Sequence, residues 1–138
     1  MATGAIDMID FPAWSDNPWD EEARNYHAHN RLLASVTATD DERRAVARRI
    51  AEKLTLAEGP TVYIVPRRDF EERDRAGQPM HAPDALAAFL DESRRLAVGK
   101  AKLIEVDAHI NDAAFVETAL GVFDAWTHEG LVPAGCVE

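Results

Sequence analysis

The sequence predicts an α/β fold, a three-layer sandwich in which helices flank a mainly parallel sheet. Short β-prone segments alternate with longer segments whose apolar residues recur at helical spacing. Residues 61–66, TVYIVP, are β-prone without polar alternation, as in a central strand covered on both faces. A chain of 138 residues with 46% hydrophobic content is long enough for one core and too short for two domains. We therefore predict a single α/β domain over residues 1–138.

Two strands are predicted near the N-terminus. Residues 5–11, AIDMIDF, alternate apolar and acidic side chains, which indicates a strand with one buried face. Residues 32–37, LLASVT, form the second candidate strand. The acidic loop between them carries Trp14 and Trp19, and exposed indoles are costly in water. We expect either the body of the domain or a partner protein to cover these two side chains.

The clearest helical pattern is TDDERRAVARRIAEKL, residues 39–54. Thr39 and Glu42 have the spacing of a capping box, which favours a helix that begins at this point. An apolar stripe predicts the buried face of this helix, and the arginines of the helix are predicted to lie outside that stripe. The stripe consists of Val46, Ile50 and Leu54, and the arginines are Arg43, Arg44, Arg48 and Arg49.

Strands and helices continue to alternate in the second half of the chain. This order favours parallel pairing of strands through right-handed crossovers. Proline at the first helical position and glycine after the last are common boundary signals. The predicted elements are the strand at 61–66, a helix from Pro83 to Gly99, the strand KLIEV at 102–106, and a helix from Asn111 or Asp112 onward.

Composition excludes several classes of function. The formal net charge is -10, and no basic stripe offsets it, which argues against binding to the phosphates of nucleic acids. The single cysteine, Cys136, excludes an internal disulfide and fits a reducing compartment. Neither a signal peptide nor an apolar run long enough to span a membrane is found. The sequence therefore predicts a cytoplasmic protein.

The segment DAHIND, residues 107–112, is the first candidate for a ligand site. It lies between a predicted strand and a predicted helix, where ligands bind in open α/β sheets. His109, Asn111 and Asp112 could contact a ligand there. The alternative is that Asn111 or Asp112 only caps the helix and His109 satisfies the loop backbone. Asp107 and His109 share one side of an extended backbone, but no third ligand is defined and no metal site is assigned.

Two further loops contain candidate residues. The HAHN segment presents His27 and His29 on one face of an extended backbone, which is compatible with metal binding. The alternative is a solvated loop in which His29 and Asn30 hold a turn. The acidic loop at 69–74 could supply a general base, although its acids alternate with arginines and therefore favour a solvated, self-neutralising surface. Asp74 in this loop precedes Gly77 and Pro79, which mark a turn.

Four blocks of the chain resemble the C-terminal half of the tomato mosaic virus resistance protein-like ATP-binding family. The blocks are GAIDMIDF, HAHN with a Thr-rich piece, GPTVYIVP leading to DRAGQP, and DAHINDAAF. The resemblance implies that the N-terminal nucleotide-binding-like half of that family is absent, and that ATP is a possible ligand. It also implies ligand-binding roles at the matched positions, which are His29, Asn30, Asp74, Gly77, His109, Asn111 and Asp112.

The chain departs from this family pattern at two points. Asp69, Phe70 and Glu71 stand where the family has a Gly-x-Ser element, and Thr37 stands where it has an arginine. Glycine and a hydroxyl allow close approach to an anion, whereas two carboxylates repel one. The sequence therefore argues against phosphate binding at the 69–71 loop.

Three hypotheses about function follow. In the first, the chain is a stand-alone C-terminal module that completes a ligand or nucleotide site with a separately encoded partner or with a second copy of itself. In the second, it is an enzyme acting on a phosphorylated or carboxylated metabolite, with His109 as acid–base or metal ligand and Asp74 or Asp112 as its orienting or coordinating partner. This requires the loops of His29, Asp74 and His109 to converge. In the third, Trp14 and Trp19 belong to a protein-interaction surface.

The sequence also predicts the relative stability of three variants. If His109 lies on a loop outside the core, His109→Ala should cost within about 0.5 kcal/mol. Loss of a helix N-cap costs roughly 1 kcal/mol, so Asn111→Ala or Asp112→Ala should destabilise the domain more.

Overall fold

A computed structural model describes residues 1–17, 19 and 24–132. Over these residues the chain forms five strands and three α-helices, which is the predicted alternation with one additional strand. Cys136 lies outside the described residues. The elements are β1 (Met8–Pro12), β2 (Tyr26–Ala28), β3 (Leu33–Thr37), α1 (Asp40–Thr55), β4 (Val62–Pro66), α2 (Pro83–Arg95), β5 (Lys102–Val106) and α3 (Ala113–His128).

The strands form two sheets, so the sheet prediction is only partly confirmed. β4 and β5 pair in parallel, as predicted, whereas β1, β3 and β2 form an antiparallel sheet in that order. Residues 29–32 connect β2 to β3, and so short a connection permits only antiparallel pairing. The fold class is α/β, and a three-layer sandwich built on a mainly parallel sheet is not confirmed.

The start of α1 confirms the predicted capping box. Thr39 Oγ1 accepts a hydrogen bond from Glu42 N at 3.4 Å, and Glu42 Oε2 accepts one from Thr39 N at 2.8 Å. The stripe residues Ile50 and Leu54 are buried. The placement of Arg43 outside the stripe was wrong, since its side chain is fully buried. Arg43 precedes the buried residues Ala47 and Ile50 at helical spacing, so the inward face of α1 extends back to its first turn.

β4 is covered on both faces, as its apolar sequence predicts. Tyr63 and Val65 pack in the same cluster as residues of α1 and α2, whereas Val62 and Ile64 pack with Phe115 of α3. α2 begins with Pro83 at its first position. None of the described helices is long and apolar enough to cross a membrane.

Two loops meet at the carboxyl ends of β4 and β5. Arg68 N donates to Ala108 O at 3.1 Å, and Ile110 N donates to Asp69 O at 3.2 Å, which join residues 67–82 to residues 107–112. The N-terminal segment also reaches this edge, where Ala5 N donates to Phe70 O at 3.2 Å. Three separate parts of the chain are therefore brought together.

Candidate functional site

A buried pair of side chains, Asp74 and His109, lies at the centre of this edge. His109 Nε2 is 3.1 Å from Asp74 Oδ1 and 2.7 Å from Glu71 O. His109 Nδ1 accepts a hydrogen bond from Asn111 N at 3.1 Å, which leaves the proton on Nε2 in the neutral ring. Asp74 Oδ2 accepts from Phe70 N and Glu71 N at 2.6 and 3.0 Å. Both carboxylate oxygens of Asp74 and both ring nitrogens of His109 therefore have hydrogen-bond partners within the domain.

The expectation that His109 lies outside the core was wrong. Its exposed fraction is 1%, and that of Asp74 is 0%. The loop folds back onto residues 71–74, because the imidazole hydrogen-bonds to Glu71 O and Asp74 Oδ1. His109 does satisfy loop backbone, as the alternative interpretation held, and it also contacts a buried carboxylate.

Asp112 and Asn111 bind the two loops together from outside. Asp112 occupies the N-cap position of α3, but its side chain makes no cap hydrogen bond. Its Oδ2 accepts from His109 N at 2.9 Å, and its Oδ1 accepts from Arg75 Nη2 at 3.2 Å. Asn111 Nδ2 donates to Glu72 Oε2 at 3.2 Å. Asp112 therefore positions the His109 loop and does not cap the helix through its side chain.

The loops that carry His29, Asp74 and His109 converge at one edge. Arg73 Nη2 lies 2.9 Å from His29 Nδ1, and His81 Nδ1 lies 2.8 Å from Asp74 O. Asp74 and His109 therefore meet directly, whereas exposed His29 contacts the Asp74 loop through Arg73 and does not line the depression above the pair.

Asn30 and Gly77 each shape the loop that carries them. Asn30 Oδ1 accepts hydrogen bonds from Leu32 N and Leu33 N at 2.7 and 3.0 Å, which holds the turn between β2 and β3. Gly77 has φ of +85°, a conformation that residues with a side chain adopt at a cost. These two residues therefore hold the loops in place.

Two pairs of residues, His27 with His29 and Asp107 with His109, have a spacing in the sequence that metal ligands use. The rings of His27 and His29 lie 6.1 Å apart, edge to face. Asp107 accepts two hydrogen bonds from Arg68, at 3.0 and 3.1 Å. No group of three or more His, Cys, Asp or Glu side chains within residues 1–17, 19 and 24–132 is placed to hold a metal ion.

The two tryptophans of the acidic loop differ in environment. Trp19 packs edge to face against Phe11, with ring centroids 5.5 Å apart, and the guanidinium of Arg24 lies over its ring. Trp14 is 72% exposed. The domain therefore covers one of the two indoles.

A second buried group, formed by Asp7, Arg43 and Asp69, lies beside the Asp74–His109 pair. Arg43 Nη1 is 3.8 Å from Asp69 Oδ1, and His81 Nδ1 is 3.8 Å from Asp69 Oδ2. Neither carboxylate oxygen of Asp7 has a hydrogen-bond partner among the described residues, and the same holds for Asp69 Oδ1 and Arg43 Nη1. With Asp74, three buried carboxyls act electrostatically on the Arg43 guanidinium.

The prediction of a solvated, self-neutralising surface was therefore wrong for Asp69 and Asp74, which are buried. It holds for Glu72, whose exposed carboxylate pairs with Arg75 at 2.8 Å, whereas Glu71, paired with Arg73 at 3.3 Å, is mostly buried. Acids and arginines alternate along this sequence, but the loop turns the two aspartates inward.

Burial changes the protonation of this second group. Burial raises the pKa of Asp69 to about 7, repulsion from Asp74 adds to the rise, and the nearby Arg43 opposes it. Burial likewise raises the pKa of Asp7 to about 6. In contrast, the backbone hydrogen bond from His109 lowers the pKa of Asp112. Two of the buried carboxyls therefore titrate near neutral pH.

Asp69 also adopts an unusual backbone conformation, with φ of +84°. This is the region that glycine enters without strain, and glycine is the residue of the resembled family at this position. The Asp69 carboxyl faces Arg43 and His81 inside the domain. The sequence argument for repulsion of an anion therefore applies to Glu71 alone, and Arg73 neutralises that side chain.

The pKa of Asp69 predicts how stability varies with pH. A carboxyl with a folded-state pKa near 7 and an ordinary value of 3.8 gives stability that is present at low pH and is lost as the pH rises through 7. Between pH 5 and pH 8 the parent should lose about 1–3 kcal/mol more of its free energy of unfolding than Asp69→Asn. Urea unfolding at both pH values measures this difference. Asp41→Asn, on an exposed acid, should follow the parent, and parallel curves for parent and Asp69→Asn would contradict the assignment.

An open depression of about 320 Å³ lies over the Asp74–His109 pair. Its lining consists of Arg68, Arg75, Ala76, His109 and Asp112. Two guanidiniums face this space while they pair with Asp107, Glu72 and Asp112. The arrangement can hold an anionic group that competes with these carboxylates for the arginine donors.

Three residues of the edge were missed by sequence reasoning: Asp7, Arg43 and Arg75. Asp7 and Phe11 lie four positions apart in AIDMIDF, so an extended backbone places both side chains on the same face, which is the buried one. Arg43 continues the helical spacing of the buried residues of α1. The sequence carries no comparable signal for Arg75.

Residues 1–127 match the family model described as "Uncharacterised protein family (UPF0261) C-terminal domain". The chain belongs to the UPF0261 family. A UPF0261 protein of Brucella suis biovar 1 is 51% identical over 99% of this chain and 33% of its own length. A UPF0261 protein of Rhizobium meliloti is 30% identical over 88% of this chain and 31% of its own length. The chain therefore spans about one third of the length of these UPF0261 relatives.

A more distant relative accounts for the resemblance in the sequence. The ToMV resistance protein Tm-1(GCR237) of Solanum lycopersicum is 26% identical over 89% of this chain and 17% of its own length. The family of this chain is therefore UPF0261, and not the ATP-binding resistance family that the sequence resemblance suggested. ATP binding is not shown by these comparisons.

Proposed function

We propose that this domain supplies one wall of a ligand site, and that the N-terminal part of the same family, on a separately encoded chain, completes it. The observation that carries the proposal is the depression above the Asp74–His109 pair. Its floor is a rigid network of buried hydrogen bonds, and its rim holds Arg68 and Arg75. Its other side is open, which fits a site shared with a second surface. A second copy of this chain is the alternative source of that surface.

The chemistry of the rim favours an anionic small molecule. Arginine forks bind phosphate and carboxylate groups through paired hydrogen bonds. Asp107 and Asp112 hold the two guanidiniums in place through hydrogen bonds. A phosphorylated or carboxylated metabolite fits this site, and ATP is the first nucleotide to test.

The geometry favours binding over acid–base catalysis by His109. Nδ1 of the ring accepts from Asn111 N, and Nε2 is bound to Asp74 and Glu71 O. Neither nitrogen is free to exchange a proton with a substrate. His109 is therefore a positioning residue, which shapes the floor beneath the two arginines.

The layers of the fold fit the same proposal. β4 and β5 lie between α3 on one face and the α1–α2 pair on the other. Ala2 pairs in parallel with Ile64 of β4, on the side away from β5. We infer that these two strands belong to a larger three-layer sandwich whose further strands come from the partner.

Binding of ATP to a mixture of this chain and the N-terminal part of the Brucella suis relative tests the function. Arg75→Ala should weaken binding by roughly tenfold or more, since it removes a charged hydrogen-bonding group from the rim. Isothermal titration calorimetry measures the affinity, and inorganic phosphate and citrate serve as simpler anionic probes. Arg49→Ala, on an exposed arginine of α1, is the matched control. Equal binding of all these probes by the parent and Arg75→Ala would refute the assignment of the rim.

A further inference from the structure

The helix α3 carries an apolar flank that the described residues leave in solvent. Phe115, Ala119, Val122 and Trp126 face the sheet. Val116, Leu120 and Phe123 lie on an adjacent side at spacings of four and three residues, and they are 47%, 55% and 52% exposed. Apolar side chains therefore occupy more than the single stripe that a surface helix needs, which is typical of a helix with two packed sides.

This flank continues into a groove beside β4, which we call the α3 groove. Its lining includes Met1, Val62, Ile64, Val122, Phe123 and Trp126, and its volume is about 200 Å³. The first residues of the chain form one rim. Ile64 N donates to Met1 O at 2.8 Å, and the Met1 amino group donates to Val62 O at 2.6 Å. The groove therefore runs between α3 and the side of β4 that faces away from β5.

The formal charges of α3 are negative, whereas the Met1 amino group on the other rim of the groove is positive. α3 and the residues up to 132 contain Glu117, Asp124 and Glu129 but neither lysine nor arginine. Two copies of this surface would bring carboxylates against carboxylates, which is unfavourable. A complementary partner has an apolar centre and a rim of lysine or arginine.

The length of the relatives indicates which partner this is. The two UPF0261 relatives are each about three times as long as the aligned region, and the matching family model is a C-terminal domain. In a continuous relative, the preceding region joins this domain next to the position of Met1, on the rim of the groove. That region is therefore held close to the α3 groove by the chain itself.

We propose that the α3 groove is the docking surface for the N-terminal domain of this family. The proposal rests on the proposed function, which requires such a partner, and it adds the surface and its anchors. Val116, Leu120 and Phe123 are the apolar anchors, and the acidic residues of α3 meet a basic rim on the partner. The anion depression lies at the N-terminal end of α3, so the same partner can close it.

The experiment is copurification of this chain with the co-expressed N-terminal part of the Brucella suis relative, followed by analytical ultracentrifugation. Leu120→Glu should weaken the complex by at least about 30-fold, as expected for a central apolar anchor. Leu56→Glu introduces the same charge at a leucine that is 79% exposed at the end of α1, and it should bind within about twofold of the parent. Both variants should keep the melting temperature of the parent, since both side chains are exposed. Val116→Glu provides a second test of the anchor surface.

Three results would overturn the proposal. The first is failure of the parent to form the complex, and the second is formation of an equally tight complex by Leu120→Glu. The third is self-association of this chain that Leu120→Glu disrupts, because the groove would then bind a second copy. Ligand binding is measured separately, since Arg75→Ala should lose ligand and keep the complex. A complex that binds no anionic probe would count against the proposed function and leave the docking surface supported.

Discussion

Replacement of Arg43 by methionine is expected to lower the free energy of unfolding at pH 8 by about 3–5 kcal/mol. Arg43 is the cation among the buried carboxyls of Asp7, Asp69 and Asp74, and its own side chain is fully buried. Methionine fills a similar volume but leaves these carboxyls without the opposing charge. The loss should be smaller at pH 5, because the raised pKa values of Asp7 and Asp69 allow both groups to take up protons there.

Urea unfolding at pH 8 and pH 5 checks both parts of this expectation. Arg49→Met is the matched control, since Arg49 lies on the same helix with an exposed side chain paired to Glu52 at 2.7 Å. An exposed ion pair contributes little, so this control should change stability by less than about 1 kcal/mol. If the two variants unfold alike, Arg43 does not neutralise the buried carboxyls.

Replacement of His109 by alanine is expected to cost about 2–4 kcal/mol, which reverses the order that the sequence predicted. The change removes the partner of Asp74 Oδ1, Glu71 O and Asn111 N, and it leaves a cavity in a buried region. Asp112→Ala should cost about 1 kcal/mol, because its partly exposed carboxylate accepts one backbone hydrogen bond and one from Arg75.

The comparison of these variants is made by urea unfolding at pH 7. Asn111→Ala is the control, since its exposed side chain makes one hydrogen bond with Glu72 and should cost within about 0.5 kcal/mol. His109→Gln retains an N–H donor and should recover part of the loss. A greater cost for Asp112→Ala than for His109→Ala would restore the earlier interpretation of His109 as a loop residue outside the core.

The local signals of the sequence were sufficient for most elements of the fold. The capping box at Thr39 and Glu42 marked the start of α1, and Pro83 marked the start of α2. The three-residue strand β2 was not predicted, because it is too short for a periodic pattern and is defined by its pairing with β3. Which strands share a sheet was only partly predicted, since strand pairing depends on contacts between segments that are distant in the sequence.

Some residues of the candidate site were identified from the sequence, and others were not. Sequence pattern and resemblance together selected His109 and Asp74, which the fold brings to 3.1 Å across 35 positions of the chain. They did not select Asp7 or Arg43, because an ionisable residue is expected in solvent unless partners from other segments surround it. Those partners are visible only when the helix, the first strand region and the 67–82 loop are placed together.

By itself, the sequence determined the α/β class, the alternation of strands and helices, the strand-to-helix position of DAHIND, and the family resemblance. Each depends on residues close together in the chain: periodicity, capping residues, turn residues and short motifs. The tertiary structure alone decided that the larger sheet is antiparallel, that His109 is buried, and that Arg43 lies among three carboxyls. The physical reason is that burial and charge pairing are set by contacts between segments far apart in sequence, and a local pattern contains no information about which segment will cover which side chain.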